Sequence, residues 1–340
     1  MIHSYFKSIR IKDWWNFILP PVLGFYGWGL YQADVSFANS IFLSAGFLLL
    51  TVSVASFGFY INEWTDIQDD TAAGKSNAVR ELPVSVRWLF FLIIILQMGV
   101  GYYISISNLH SALLFAAQIT CFIAYSCPPF RLKKNLYVAP LLDALYSGTI
   151  FYLLAININY PTFFHLSTVQ KGQLGFLLIW AILRGFRNII MHLLFDAKFD
   201  AEIQQKTIGT HFDRQSVSKF LYRLVLPSEI LGFLGFCFIG LRTPAVLLGI
   251  SFIVFIIYWF KRKTYIIPFL LKRPNPSMDD ELYDINIFYE VVLPFYVFGL
   301  LALQKDAYYL FYFVVLIGMF PIIRVWVWAA LTFPVRFIKR

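Results

Sequence analysis

The chain has 340 residues, 59% of them hydrophobic and 14% charged, with a mean hydropathy of +0.68. That balance excludes a soluble globular domain and indicates an integral membrane protein. The formal net charge of +9 reads as topology and as affinity for anionic lipid and substrate, not as nucleic-acid binding.

The apolar runs are continuous over about 20 residues instead of alternating over about 10, so helices rather than a barrel are expected. Ten candidate spans lie near residues 16–32, 41–61, 87–107, 109–127, 136–157, 173–195, 222–241, 244–260, 286–304 and 307–331. The first is shortened by Pro20 and Pro21, and the eighth is also weak. The expected fold is an all-α polytopic membrane protein of nine to ten transmembrane helices. It forms a single domain over 1–340, with a core at about 10–304 and an extra C-terminal span at 307–331. Met1–Lys12 is mixed and the first run leads into Pro-Pro, so no cleavable signal peptide is expected. Cys121, Cys127 and Cys237 lie in or beside apolar runs without metal-ligand spacing and are expected to pack.

Charge sets the orientation. With the N-terminus cytoplasmic, 22 of the 28 Lys and Arg residues fall on that side and 3 on the other, namely Lys171, Arg242 and Lys305. The positive-inside rule then places the basic loops in the cytoplasm, and a bacterial inner membrane is the expected location.

Just after the second span comes Asn62-Glu63-Trp64-Thr65-Asp66-Ile67-Gln68-Asp69-Asp70, followed by Lys75, Asn77 and Arg80. Four residues turn a helix through about 400°, so Asn62, Asp66 and Asp70 share one face, with Asp69 beside them. Clustered carboxylates repel, and a cation is their natural neutraliser. Oxygen donors at this density suit Mg2+, which takes only one or two carboxylates per ion and shares the rest of its shell with water and phosphate. Lys75 and Arg80 would then meet phosphate oxygens. One isolated motif of this kind reads more readily as a solvated loop; a second on the same membrane face reverses that and favours the site.

The fourth span ends in Tyr125-Ser126-Cys127-Pro128-Pro129-Phe130-Arg131-Leu132-Lys133, where Pro-Pro stops the helix and the two cations are placed for an anion or for lipid headgroups. In the sixth, Arg184, Asn188, His192, Asp196 and Asp200 recur at every fourth position as a polar stripe, and Arg187 lies beside it. Ionisable residues at membrane depth face a cavity or a partner. His192 is open between general base, polar lining and buried structural histidine. Asp143, Glu229 and Glu290 belong to no motif; Asp143 is expected either to bond an acceptor or to pair with Arg184 or Arg187.

Three features in order, Asn62-x3-Asp66-x3-Asp70, Tyr125-Ser-x-Pro-Pro-x-Arg-Leu-Lys133, and Asp196-x3-Asp200 followed by Lys206-Thr207, resemble the UbiA superfamily of intramembrane prenyltransferases. The resemblance covers roughly residues 10–300. It implies nine transmembrane helices around a central cavity, with the two acidic motifs facing each other across its cytoplasmic mouth. It also implies a Mg2+-bound prenyl diphosphate whose tail lies in the cavity, open laterally to membrane lipid, and whose prenyl group passes to an aromatic or other lipophilic acceptor. Asn62, Asp66 and Asp70 match the first Mg2+–diphosphate motif, and Asp196 and Asp200 the second. Lys75, Arg80, Arg131 and Lys133 match basic positions near the diphosphate, Arg184, Asn188, His192 and Lys206 are expected to line the substrate site, and Tyr125 matches a tyrosine near the ionising carbon. Glu63 where Asp is common, Gln204-Gln205 before Lys-Thr, and the tenth span depart from the pattern and leave the acceptor open. Alternatives are transfer from a phosphoribosyl-type donor, terpene cyclisation, and transport along Asp143, Arg184, Arg187, His192, Glu229 and Glu290. Against transport, the acidic pairs lie at span ends beside basic loops. The 261–285 loop is expected to be a solvated connection, and second to that a lid.

Overall fold

The computed structural model describes residues 1–33, 35–72, 74–160, 166–202, 206–261 and 282–328, and among these there is no strand. The main helices are α1 (Ile11–Gln32), α2 (Phe37–Thr65), α3 (Val84–Ser105), α4 (Leu109–Ser126) and α5 (Val138–Asn159). They continue as α6 (Thr168–Glu202), α7 (Arg214–Phe238), α8 (Thr243–Lys261), α9 (Leu282–Gln304), α10 (Ala307–Met319) and α11 (Pro321–Trp328). Side-chain caps mark several starts. Ser36 accepts from the Asn39 N–H, and Asn108 accepts from the Ser111 N–H at 2.8 Å, satisfying donors that no preceding turn can take.

Seven of these helices, α2 to α7 and α9, are long and apolar enough to cross a membrane. Counting the bent pair α10–α11 as one span gives eight among the described residues, against the nine to ten expected. α1 occupies the first predicted span but carries Lys12 and Asp13 in its first turn and Pro20-Pro21 inside it. α8 is a shorter apolar helix. The tenth predicted span is two helices bent by 105°. The bend falls at Phe320, whose backbone is extended (φ −116°, ψ 104°) because the following proline disfavours the helical region for the residue before it. Residues 262–281, which hold most of the lid candidate, and Gln204-Gln205 lie outside the described residues.

Proline also shapes the interior. π-helical turns at Leu221–Val225 in α7 and Phe288–Val292 in α9 each stand just before a Leu-Pro pair, Leu226-Pro227 and Leu293-Pro294. A proline lacks the N–H and crowds the carbonyl four residues back, and the wider turn absorbs both effects without ending the helix.

Close backbone approaches lock the bundle. A Cβ on Gly101 would lie 2.5 Å from the Leu50 backbone nitrogen, and one on Gly185 2.7 Å from the Ala144 Cα. Glycine thus sets the α2–α3 and α5–α6 spacings, as small residues do where lipid offers no hydrophobic drive between helices. Between α1, α5, α6, α7 and α9 the core is aromatic: Trp180 packs on Phe25, Tyr152 and Tyr289 with ring centroids 5.2, 5.3 and 5.0 Å apart.

Candidate active site

α2 ends at Thr65, and Asp66 is its C-cap. The Asp66 N–H still donates to the Asn62 carbonyl at 3.1 Å, and the Asp70 N–H, in the short helix Ile67–Ala72, to the Asp66 carbonyl at 2.8 Å. The four-residue spacing therefore survives the helix break, and the predicted face persists across two helices instead of one.

Cations converge on this wall from the loop after α4. Lys133 donates to Asn62 Oδ1 at 2.8 Å and to Asp66 Oδ1, which also accepts from Arg131 at 2.7 Å. Arg131 and Lys134 reach Asp69 at 3.0 and 2.9 Å. The hydrogen bond from Lys134 holds the Asp69 carboxyl below the usual carboxylate range, while burial pulls the Lys133 ammonium below its own, against the opposing charge of Asp66. Asp70 accepts from the Asn77 amide at 2.7 Å, and the same amide group reaches the Glu63 carbonyl at 2.8 Å.

The second wall comes from α6. Its 35 residues would extend about 52 Å, well beyond a hydrocarbon core of about 30 Å, so one end of the helix projects past the apolar layer. His192 Nε2 lies 3.4 Å from Asp196 Oδ2, one turn apart, and the buried Asp200 accepts from the Thr207 hydroxyl at 3.3 Å. Lys75 joins the walls, its ammonium 4.1 Å from the centre of the Phe199 ring.

Both acidic motifs open into one cavity of about 1370 Å³. Asn62, Asp66, Asp70, Asp196 and Asp200 line it, as do Tyr125, Lys75, Lys133, His192 and Lys206. Arg131 reaches it through Asp66, whereas Arg80 turns away to the Thr71 hydroxyl at 3.0 Å.

The upper stripe of α6 does not reach the cavity. Arg184 is buried against Glu290 at 3.4 Å and bonds the Tyr152 hydroxyl. Asn188 accepts from Arg187 at 3.1 Å and from Asn286 at 3.0 Å. Arg187, fully buried, holds Glu229 through two nitrogens at 2.6 and 2.9 Å. Arg184 and Asn188, expected to line the substrate site, thus do not line this cavity: Glu290 of α9 takes the first, and Arg187 with Asn286 of α9 takes the second. Asp143 pairs with neither arginine. It accepts from Tyr146 at 2.5 Å, and the Tyr146 ring packs 5.1 Å from that of Tyr125.

Among the described residues no three His, Cys, Asp or Glu side chains gather as an all-protein metal site. The oxygen donors nonetheless suit a hard ion that takes one or two carboxylates and completes its shell with water and phosphate. Lys133 already sets a positive charge between Asn62 Oδ1 and Asp66 Oδ1. The sequence names Asn77 after the first motif without giving it a partner, and it gives no sign of Lys134 or Asn286 as members of these networks. Asn77 lies between Lys75 and Arg80, and Lys134 follows Lys133, but only the chain's return brings them onto Asp70 and Asp69.

No protein-family profile matches the chain, and no curated protein matches it by sequence. Solved structures match it in fold. A UbiA homologue from Archaeoglobus fulgidus bound to DMAPP and Mg2+ has a TM-score of 0.61 at 17% identity, over 88% of this chain and 100% of that one. The same homologue bound to GPP and Mg2+ gives 0.61 at 18% identity, over 87% and 98%. A structure of digeranylgeranylglyceryl phosphate synthase gives 0.52 at 13%, over 87% and 95%.

Proposed function

We propose that this integral membrane protein, which has the UbiA fold, is a Mg2+-dependent intramembrane prenyltransferase that moves a prenyl group from a prenyl diphosphate to a lipophilic acceptor. The observation that carries the reading is the pair of acidic walls, Asn62-Asp66-Asp70 and Asp196-Asp200, on a single cavity whose cations already engage them. A transport path is disfavoured because Arg187–Glu229 and Arg184–Glu290 are closed, buried ion pairs.

Asn62, Asp66, Asp70, Asp196 and Asp200 would hold the metal. When bound, Mg2+ neutralises charge on the diphosphate as a leaving group. Lys75, Lys133 and Lys206 meet the remaining phosphate oxygens, so negative charge growing as the allylic C–O bond breaks is met by groups already in place. Tyr125, which lines the cavity and packs on Tyr146, itself bonded to Asp143, would offer an aromatic face to the carbon left electron-poor. The acceptor's nucleophilic atom bonds that carbon and its proton passes to the departing diphosphate, which leaves through the mouth. The charge tally assigns the mouth to the cytoplasm, and the acceptor is of the aromatic or other lipophilic class.

The test is diphosphate release by the purified, reconstituted protein from a labelled prenyl diphosphate with and without Mg2+. Metal-dependent release with label passing to an organic-soluble product supports the proposal. Turnover of labelled phosphoribosyl diphosphate instead, or release indifferent to chelator, overturns it.

A further inference from the structure

The end of the bundle opposite the acidic cavity carries a second built pocket. α1 begins beside that cavity, where Arg10 lies 3.7 Å from Glu63, so its last residue, Gln32, marks the far end. There a cavity of about 350 Å³ is lined by Trp28, Tyr31, Gln32, Arg242, Gln304 and Lys305. Arg242 and Lys305 are two of the three Lys and Arg residues that the charge tally assigns to this face. Neither forms an ion pair among the described residues.

The chemistry of the lining is that of an anion site. Arg242 donates to the Gln32 side-chain oxygen at 2.9 Å, and the Tyr31 hydroxyl to the Gln304 side-chain oxygen at 2.7 Å. With both amide oxygens engaged, both amides present N–H donors. The Lys305 ammonium is anchored on the carbonyls of Leu30, at 3.1 Å, and Ala33, which hold the charge in place without cancelling it. Directly beside it runs an apolar cleft that shares Trp28, Gln32 and Arg242 with the pocket and continues along Ile156, Leu174, Leu177 and Phe236. A polar donor pocket continuous with an apolar cleft fits an amphiphile, with Trp28 and Tyr31 at the depth where aromatic side chains meet headgroups.

We infer that this pocket binds one anionic phospholipid of the leaflet opposite the acidic cavity, with the phosphate between Arg242 and Lys305 and the first methylenes of one acyl chain in the cleft. Neither cation belongs to the proposed active site, so lipid binding and turnover are separable. The occupant is a phospholipid and not free phosphate, because the cleft recognises a chain that inorganic phosphate lacks.

Native mass spectrometry of the full-length protein, titrated with phosphatidylglycerol, phosphatidylcholine and sn-glycerol 3-phosphate, tests this. Phosphatidylglycerol is expected to be retained over phosphatidylcholine by about 30-fold, as two surface cations together supply. The R242Q/K305Q variant should lose that preference, and Leu174→Trp, which fills the cleft, should weaken both phospholipids together. Lipid-induced thermal shifts of the same variants, each still melting cooperatively, separate lost binding from lost folding. Equal phosphatidylglycerol retention by wild type and R242Q/K305Q overturns the site, and so does binding of glycerol phosphate as tight as that of the lipid.

Discussion

Lys133 donates to the Asp66 carboxylate across 67 positions of chain, and this contact ties the loop after α4 to the end of α2. The bond fixes the geometry of the first acidic wall and puts a positive charge where a negatively charged substrate has to dock.

Asp66→Asn removes the carboxylate shared by Lys133 and Arg131. Turnover should fall by about 10²–10³-fold or more, the usual loss when a preorganised electrostatic group is deleted. Diphosphate release in detergent reads it, and an unchanged rate in a folded variant would contradict the proposed site.

Lys133→Gln should raise the KM for the diphosphate donor by about tenfold, the scale of one charge-assisted contact. Lys133→Arg should recover most of it. Equal KM values in wild type and Lys133→Gln would mean that Lys133 only braces Asp66.

Removing divalent metal should abolish turnover, and adding back Mg2+ should restore it. The melting temperature should move little, because Arg131, Lys133 and Lys134 already counter the Asp66–Asp69 wall. Large unfolding in chelator would make the metal structural.

Arg187→Met leaves Glu229 buried without its partner and should cost about 3–5 kcal/mol, whereas R187M/E229L should regain most of that. Thermal unfolding of the single and double variants in detergent measures the cycle. A double variant no more stable than Arg187→Met would show that the pair is not the unit.

The helical fold was legible because a span is written as a continuous apolar run, and ten runs gave ten positions where a helix or helix pair now stands. What hydropathy could not express is geometry within a run. Pro321 sits inside the tenth run with no effect on its average, yet there the chain turns by 105°. The acidic motifs were readable because each is local, and their four-residue spacing survived even the break at Asp66. Partners were not readable in the same way. Arg184 and Asn188 share the period of Asp196 and Asp200, and periodicity alone assigns all four to one surface. Glu290 of α9 takes Arg184, and Arg187 and Asn286 take Asn188, so the upper half of the stripe is engaged inside the bundle and the lower half is left to the cavity.

α6 acts as a depth gauge. A substrate with a charged head and a greasy tail must be held at one level in the membrane, neither floating out nor sinking in. From Arg184, locked among aromatic rings, to Asp200 at the mouth is sixteen residues, a rise of about 24 Å set by helix geometry alone. The buried arginine pairs pin one end of this ruler, and the height of the acidic rim then follows from counting. Inserting or deleting a single turn would shift the head-group site by about 5.4 Å relative to the bilayer while leaving every acidic residue present.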